Sequence, residues 1–303
     1  MQALNTITAI LFALSTFACG TTSGGHNQIS VPQKNSDDSS QESTNNTQDI
    51  ATSTGQFLTT INENNVSVQL IIDKPAIESA DVVMTFHGTV ETDDKIVQAA
   101  QKTLDETKKI VNRQDILFIS VAYPEEGLFM GDNLKHAEAA LLWAKQKASK
   151  ALNIKTKRIF LVGHSQGGYL VTRLNTMHPT DGVIANAPGP LNLRLRCELE
   201  EKGKIPESGN CRRIRDAYGS TESHPDAYLS RSLLSHLQGF KSRILFTQGM
   251  SDTRLQLTSW PLLKEKVSNC SDCAKAQFEE LDGEHAALFS NPKAPNIVAE
   301  FIK

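Results

Sequence analysis

The sequence predicts an α/β protein built on a doubly wound, mostly parallel sheet, and three observations carry that prediction. From residue 81 onward, short apolar runs alternate with segments of helical periodicity, the pattern of parallel strands joined by right-handed crossovers. One run, Arg158-Ile159-Phe160-Leu161-Val162, ends abruptly in Gly163-His164-Ser165-Gln166-Gly167-Gly168, a G-x-S-x-G in the strand, sharp turn and helix setting of a nucleophile elbow. The motifs richest in reactive side chains each follow an apolar run, at the carboxyl end of a strand, where open α/β sheets gather their sites.

Residues 1–19 hold an apolar core too short to cross a bilayer as a permanent anchor, followed by small residues, which reads as an export signal. Its end, Ser15-Thr16-Phe17-Ala18-Cys19, resembles a bacterial lipobox, which implies a lipid on Cys19 and a protein of the bacterial cell envelope, or otherwise a periplasmic or secreted one. Residues 20–54 are Ser, Thr, Asn, Gln, Gly and Asp with almost no large apolar side chain. They cannot offset the entropy of ordering, and a disordered tether is expected.

The sheet is expected to open with an antiparallel hairpin over Gln56 to Ile72, where Val66, Val68, Leu70 and Ile72 alternate after the turn-prone Glu63-Asn64-Asn65. A buried strand follows at 81–86, a helix at 92–111 with Ile96, Ala100, Leu104 and Val111 in phase, and a strand at 116–122. Leu134, Ala137, Leu141 and Leu142 share one face of a helix over 133–149. After the elbow come a helix from Tyr169 to Met177, a strand at 182–187 and an irregular, lid-like insertion over 188–239. A strand at 243–248, a helix from Trp260 to Val267, a strand at 277–281 and a terminal helix from Asn296 complete one domain, 55–303.

The length of 303 residues and the 39% hydrophobic content allow a sizeable core. A net charge of −3 gives no pull toward nucleic acid or an anionic membrane, so the membrane is expected to matter only through the N-terminal lipid. With Cys19 lipidated, the other four of the five cysteines are even in number, and proximity pairs Cys197 with Cys211 and Cys270 with Cys273 in an oxidising compartment. A redox role for Cys270-Ser271-Asp272-Cys273 is the alternative, although the strand-then-helix setting of such motifs is missing.

A serine hydroxyl is a poor nucleophile without a base. Downstream of Ser165, strand 243–248 runs into Gly249-Met250-Ser251-Asp252, and strand 277–281 runs into Asp282-Gly283-Glu284-His285. Asp252 would orient His285, and His285 would take the Ser165 proton. Asp282 and Glu284 are alternative orienters. The loop Phe86-His87-Gly88-Thr89 offers the Thr89 amide, with that of Gln166, to an oxyanion. His87 and His164 flank these groups as shapers of loops rather than proton carriers. His26, His136, His178, His224 and His236 read as surface or structural residues, none at metal-ligand spacing, so neither metal nor cofactor is expected.

These residues resemble the α/β-hydrolase superfamily across nearly all of the chain beyond the tether. Gly163 to Tyr169 and Ala227-Tyr228-Leu229-Ser230-Arg231-Ser232 are similar to stretches of prolyl oligopeptidase catalytic domains and dienelactone-hydrolase-like esterases. The resemblance implies an α/β-hydrolase fold and a serine hydrolase that cleaves a small-molecule carboxylic ester through an acyl-enzyme. A serine peptidase of the prolyl-oligopeptidase kind, or a non-catalytic surface lipoprotein, are the alternatives. Arg194, Arg196, Arg212, Arg213 and Arg215 in the insertion read either as a mixed-charge surface or as a reception for a substrate carboxylate.

Overall fold

The computed structural model describes residues 49–90 and 92–303, all within one compact unit, Thr44–Lys303. The apolar run with Cys19, and the tether as far as residue 48, lie outside the described residues. So does His26.

Two asparagines begin the sheet. Asn64 and Asn65 adopt φ of 50° and 62°, the left-handed pair that a two-residue hairpin turn requires and that asparagine tolerates. They join β1 (Gly55–Glu63) to β2 (Val66–Lys74) in antiparallel register, Gly55 opposite Lys74. β3 (Ser79–Phe86), β4 (Ile116–Ala122), β5 (Lys155–His164), β6 (Gly182–Asn186), β7 (Ile244–Gly249) and β8 (Ala276–Leu281) complete eight strands in the order β1-β2-β4-β3-β5-β6-β7-β8. β2 runs antiparallel to β4, and all later pairings are parallel.

Both faces of the sheet are covered, which explains the unbroken apolar runs. Side chains alternate by two: Val82, Met84, Leu117, Ile119 and Leu161 enter one core, while Val83, Phe118, Phe160 and Val162 enter the other. Asp49–Thr52 forms a short helix, α1, and α2 (Ile96–Val111) covers the second face through Ala100, Leu104 and Val111. α3 (Leu134–Gln146), α4 (Ala148–Ala151) and α5 (Gln166–Met177) pack on the first face.

Several elements depart from the expected bounds. Residues 93–95 make a 3₁₀ turn before α2. α5 starts at Gln166 rather than Tyr169, because the elbow glycines allow the helix to begin directly after Ser165. The insertion at 188–239 is helical rather than irregular: α6 (Leu193–Glu201), α7 (Gly209–Tyr218), α8 (Pro225–Leu229) and a 3₁₀ turn at Leu233–Ser235. Asn192 and Ser208 cap α6 and α7 by accepting from the amides of Leu195 and Cys211. Bonds Cys197–Cys211 and Cys270–Cys273 are both formed, the first tying α6 to α7. α9 (Arg254–Ser268) begins six residues before the expected helix and carries Pro261 inside it; α10 (Ala287–Ser290) and α11 (Ala294–Phe301) close the chain. The end of the expected tether is also structured, since Ile50 packs on the core and Lys74 Nζ donates to Ala51 O at 2.7 Å.

Among the described residues no helix is long and apolar enough to cross a membrane.

Candidate active site

Ser165 occupies the residue between β5 and α5 with φ 55° and ψ −116°, backbone that costs a non-glycine residue on the order of 1–3 kcal/mol. The neighbours hold it there. Its amide donates to Asn186 O (2.9 Å), and its carbonyl accepts from the amides of Tyr169 and Gly189 (both 3.0 Å). A Cβ at position 163 would lie 2.1 Å from Gly167 O, and one at position 167 would lie 2.0 Å from Phe86 O. Only glycine fits at either place.

The second close approach is at Gly249, where a Cβ would sit 1.9 Å from Glu284 O. The end of β7 therefore touches the loop after β8, and Ser251 N donates to Gly283 O at 2.8 Å. That contact brings Asp252 beside His285, with Nδ1 2.7 Å from Oδ2. Oδ2 also accepts from Gln248 Nε2 (2.9 Å) and Oδ1 from the Thr253 amide (2.6 Å). Burial pushes the Asp252 carboxyl up, but the bonds from His285 and Gln248 and the charge of His285 outweigh it and hold the group below its ordinary range. An ionised carboxylate can only accept, so Nδ1 of His285 carries the proton and Nε2 is left as a base. Asp282 and Glu284 are exposed, and the Nδ1 position is already taken by Asp252.

Ser165, Asp252 and His285 line one cavity of about 800 Å³, inside the range of roughly 300–1,000 Å³ usual for small-molecule sites. Ser165 Oγ forms no hydrogen bond with His285 among the described residues; contacts of this kind often tighten only in the substrate complex. Thr89 and Gln166 line the same cavity, and neither main-chain amide is engaged within the described residues. A Cβ at Gly88 would lie 3.3 Å from Ser165 Cβ, so the Thr89 loop lies directly against the serine.

The same cavity wall carries a polar network that sequence reasoning missed. With its amide oriented to match every neighbour, Gln166 donates to Thr89 Oγ1 (2.7 Å) and Glu125 Oε2 (2.9 Å) and accepts from Asn133 Nδ2 (2.7 Å). Glu125 also accepts from the Val90 amide at 3.2 Å. Burial pushes its carboxyl up to about 8, the Val90 bond and the charge of Arg213 working the other way. No motif marks Glu125 or Asn133; Pro124-Glu125-Glu126 reads as a solvated loop.

The flanking histidines are neutral. His87 is fully buried, stacks on Tyr123 with centroids 4.0 Å apart and holds Gly88 O at 2.7 Å through Nδ1; burial pushes it down to about 4. His164 Nδ1 accepts from Asn186 Nδ2 at 2.8 Å, and its ring lies 5.0 Å from that of His285. Burial first, then the charge of His285, pushes it down to about 3. Further away, His178 pairs with Glu138 (2.7 Å) and His236 with Ser230 O (2.8 Å), while His136 is half-buried and His224 exposed.

Of the five insertion arginines, Arg196 and Arg213 line the cavity, Arg212 and Arg215 pair with Glu207, and Arg194 is exposed. Among the described residues the one His, Cys, Asp and Glu group close enough to suggest a metal is Cys270, Asp272 and Cys273, and both its sulfurs are spent in a disulfide.

No family model and no curated protein sequence matches the chain significantly. Solved structures do. An esterase of Pyrococcus furiosus, Pf2001, is 15% identical with a TM-score of 0.59, over 86% of this chain and 94% of the other. Est1E from Butyrivibrio proteoclasticus is 14% identical with a TM-score of 0.57, over 82% and 98%. A fungal esterase of Rhizomucor miehei is 15% identical with a TM-score of 0.59, over 81% and 82%. Together with the strand order and the elbow, these likenesses establish that the chain has the α/β-hydrolase fold.

Proposed function

We propose that the chain is a serine hydrolase that cleaves carboxylic esters through an acyl-enzyme. One observation carries the reading: His285, held through Nδ1 at 2.7 Å from Asp252, shares a cavity with a serine fixed at the strained tip of an elbow. In this reading Nε2 of His285 takes the Ser165 proton as Oγ bonds to the ester carbonyl carbon. The carbonyl π pair moves to oxygen, where the amides of Thr89 and Gln166 receive it. Collapse breaks the bond to the alcohol oxygen, which takes the proton from His285 and leaves. Water then gives a proton to His285 as its oxygen bonds to the acyl carbon; the Oγ–acyl bond breaks, Oγ takes that proton back from His285, and the carboxylic acid leaves. Neutral His164 and His87 add no positive charge to oppose the imidazolium. The esterase names of the Pyrococcus and Rhizomucor fold neighbours support ester over amide.

Turnover of a p-nitrophenyl ester tests this directly. Ser165→Ala is expected to lower kcat by about 10⁶-fold, the scale of a nucleophile knockout in a serine protease. Retention of wild-type turnover would contradict it, and comparable cleavage of dipeptide amides would replace the ester assignment with a peptidase. Export, with a lipid on Cys19, belongs to the same proposal and is supported by the apolar run and the small residues that precede the cysteine.

A further inference from the structure

The arginines of the insertion are not equivalent. Arg196 is bonded to Glu200 at 2.9 Å, and Arg212 and Arg215 are both paired with Glu207. Arg213 lines the cavity with no carboxylate within ion-pair distance among the described residues. Its one side-chain bond runs from Nη2 to Asn210 Oδ1 at 2.8 Å, and its Nε is buried without a partner.

The position is electrostatically unfavourable as it stands. Arg213 lies one turn into α7, and its side chain folds back so that a Cβ on Gly209, the first residue of the helix, would be 3.7 Å from Nη1. A cation is thus set over the positive end of a helix dipole, where an anion is preferred. Ser208, Gly209 and Asn210 line the cavity with it. A guanidinium so placed, with no carboxylate to neutralise it, is poor for stability and well suited to holding an anion from the cavity side.

The cavity's own carboxylates do not supply that anion. Glu207 is occupied by Arg212 and Arg215, Asp252 by His285, Gln248 and Thr253. Glu125 feels the charge of Arg213, but burial keeps it protonated up to about pH 8. The Glu200 carboxylate does not line the cavity and is itself occupied, accepting from Ser208 N (2.8 Å) and Oγ (3.1 Å) and from Arg196 Nε (2.9 Å).

We propose that Arg213 is a specificity-determining residue that binds a second, ionised carboxylate on the substrate, so that the preferred substrates are half-esters of dicarboxylic acids or esters of similar charge. This rests on the ester-hydrolase reading above and assigns its substrate class. The planar fork of Arg213 can meet both carboxylate oxygens, which orients the molecule relative to Ser165 as well as attracting it.

The test compares the mono-p-nitrophenyl ester of glutaric acid with the neutral p-nitrophenyl pentanoate, of similar length. Wild type is expected to favour the half-ester in kcat/KM. Arg213→Gln should lose roughly 10- to 100-fold on the half-ester, the scale of one charge-assisted bidentate contact, while changing less than about twofold on the neutral ester. Glutarate should inhibit wild type competitively and lose potency by a similar factor against the variant. Arg194→Gln, exposed and away from the cavity, should change neither substrate. If Arg213→Gln slows both esters alike, or the wild type handles the neutral ester and shows no Arg213-dependent preference, the assignment of Arg213 is wrong and the hydrolase reading stands. If wild type turns over neither ester, the hydrolase reading falls and takes this inference with it.

Discussion

Glu125 is the side chain whose charge state bears most directly on the site. Its carboxyl holds a proton up to about pH 8 in the folded chain, against an ordinary glutamate value near 4.3. The folded state then binds more protons than the unfolded state between those values, so this group favours folding most at low pH and the contribution is lost as pH rises toward about 8. Ionisation also sets a negative charge in the cavity wall beside Thr89 and Gln166, whose amides receive the oxyanion in the proposed mechanism. Glu125→Gln keeps the shape and an acceptor but cannot ionise. It is expected to raise the unfolding temperature relative to wild type more at pH 9 than at pH 5, and to remove a fall in kcat/KM above pH 8. Unfolding curves and pH–rate profiles of the two proteins check both; an unchanged alkaline fall in the variant would assign that limb to another group. His164 and His87, pushed down to about 3 and 4, stay neutral across this range and do not contribute to the alkaline limb.

At the scale of elements, legibility follows how local the physics is. The strands could be read because each is covered on both faces, which makes continuous apolar runs such as Ile159 to Val162. The hairpin could be read because two adjacent asparagines tolerate the left-handed turn. The elbow could be read because its glycines and serine fall within five consecutive residues, although the atom that excludes a Cβ at 167 is Phe86 O of β3. The insertion could not, since α6 buries mainly Leu193, Cys197 and Glu200 and α7 mainly Cys211 and Ile214. Two helices with so few apolar contacts and many charges show little periodicity, and the Cys197–Cys211 bond that ties them together leaves no periodic trace. The first turn of α9 is hidden in the sequence because Arg254-Leu255-Gln256-Leu257 is mixed in polarity, and Pro261, tolerated in a first turn but not in a helix interior, points to a start at Trp260. Gly249 carries a long-range contact with Glu284 that neither segment announces alone, and Glu125 and Asn133 meet Gln166 from separate segments.

For the whole molecule, the order of the strands does the decisive placing. β5, β7 and β8 each end on the same edge of a parallel sheet, so residues 165, 252 and 285 reach one cavity although more than a hundred positions separate the first from the last. The helical insertion then adds Arg213 to the cavity wall. In the proposed export the N-terminal segment would set location rather than chemistry: Cys19→Ser is expected to move the protein from the membrane fraction to the soluble one with esterase activity retained, and a wild-type protein found only in the soluble fraction would count against the lipid. The convergence of serine and histidine is tested most directly by mapping the adduct of a fluorophosphonate on the intact protein by peptide mass spectrometry. One equivalent of label is expected, on Ser165, forming roughly 10³-fold or more slower in His285→Gln; no adduct, or label on a different residue, would contradict the convergence.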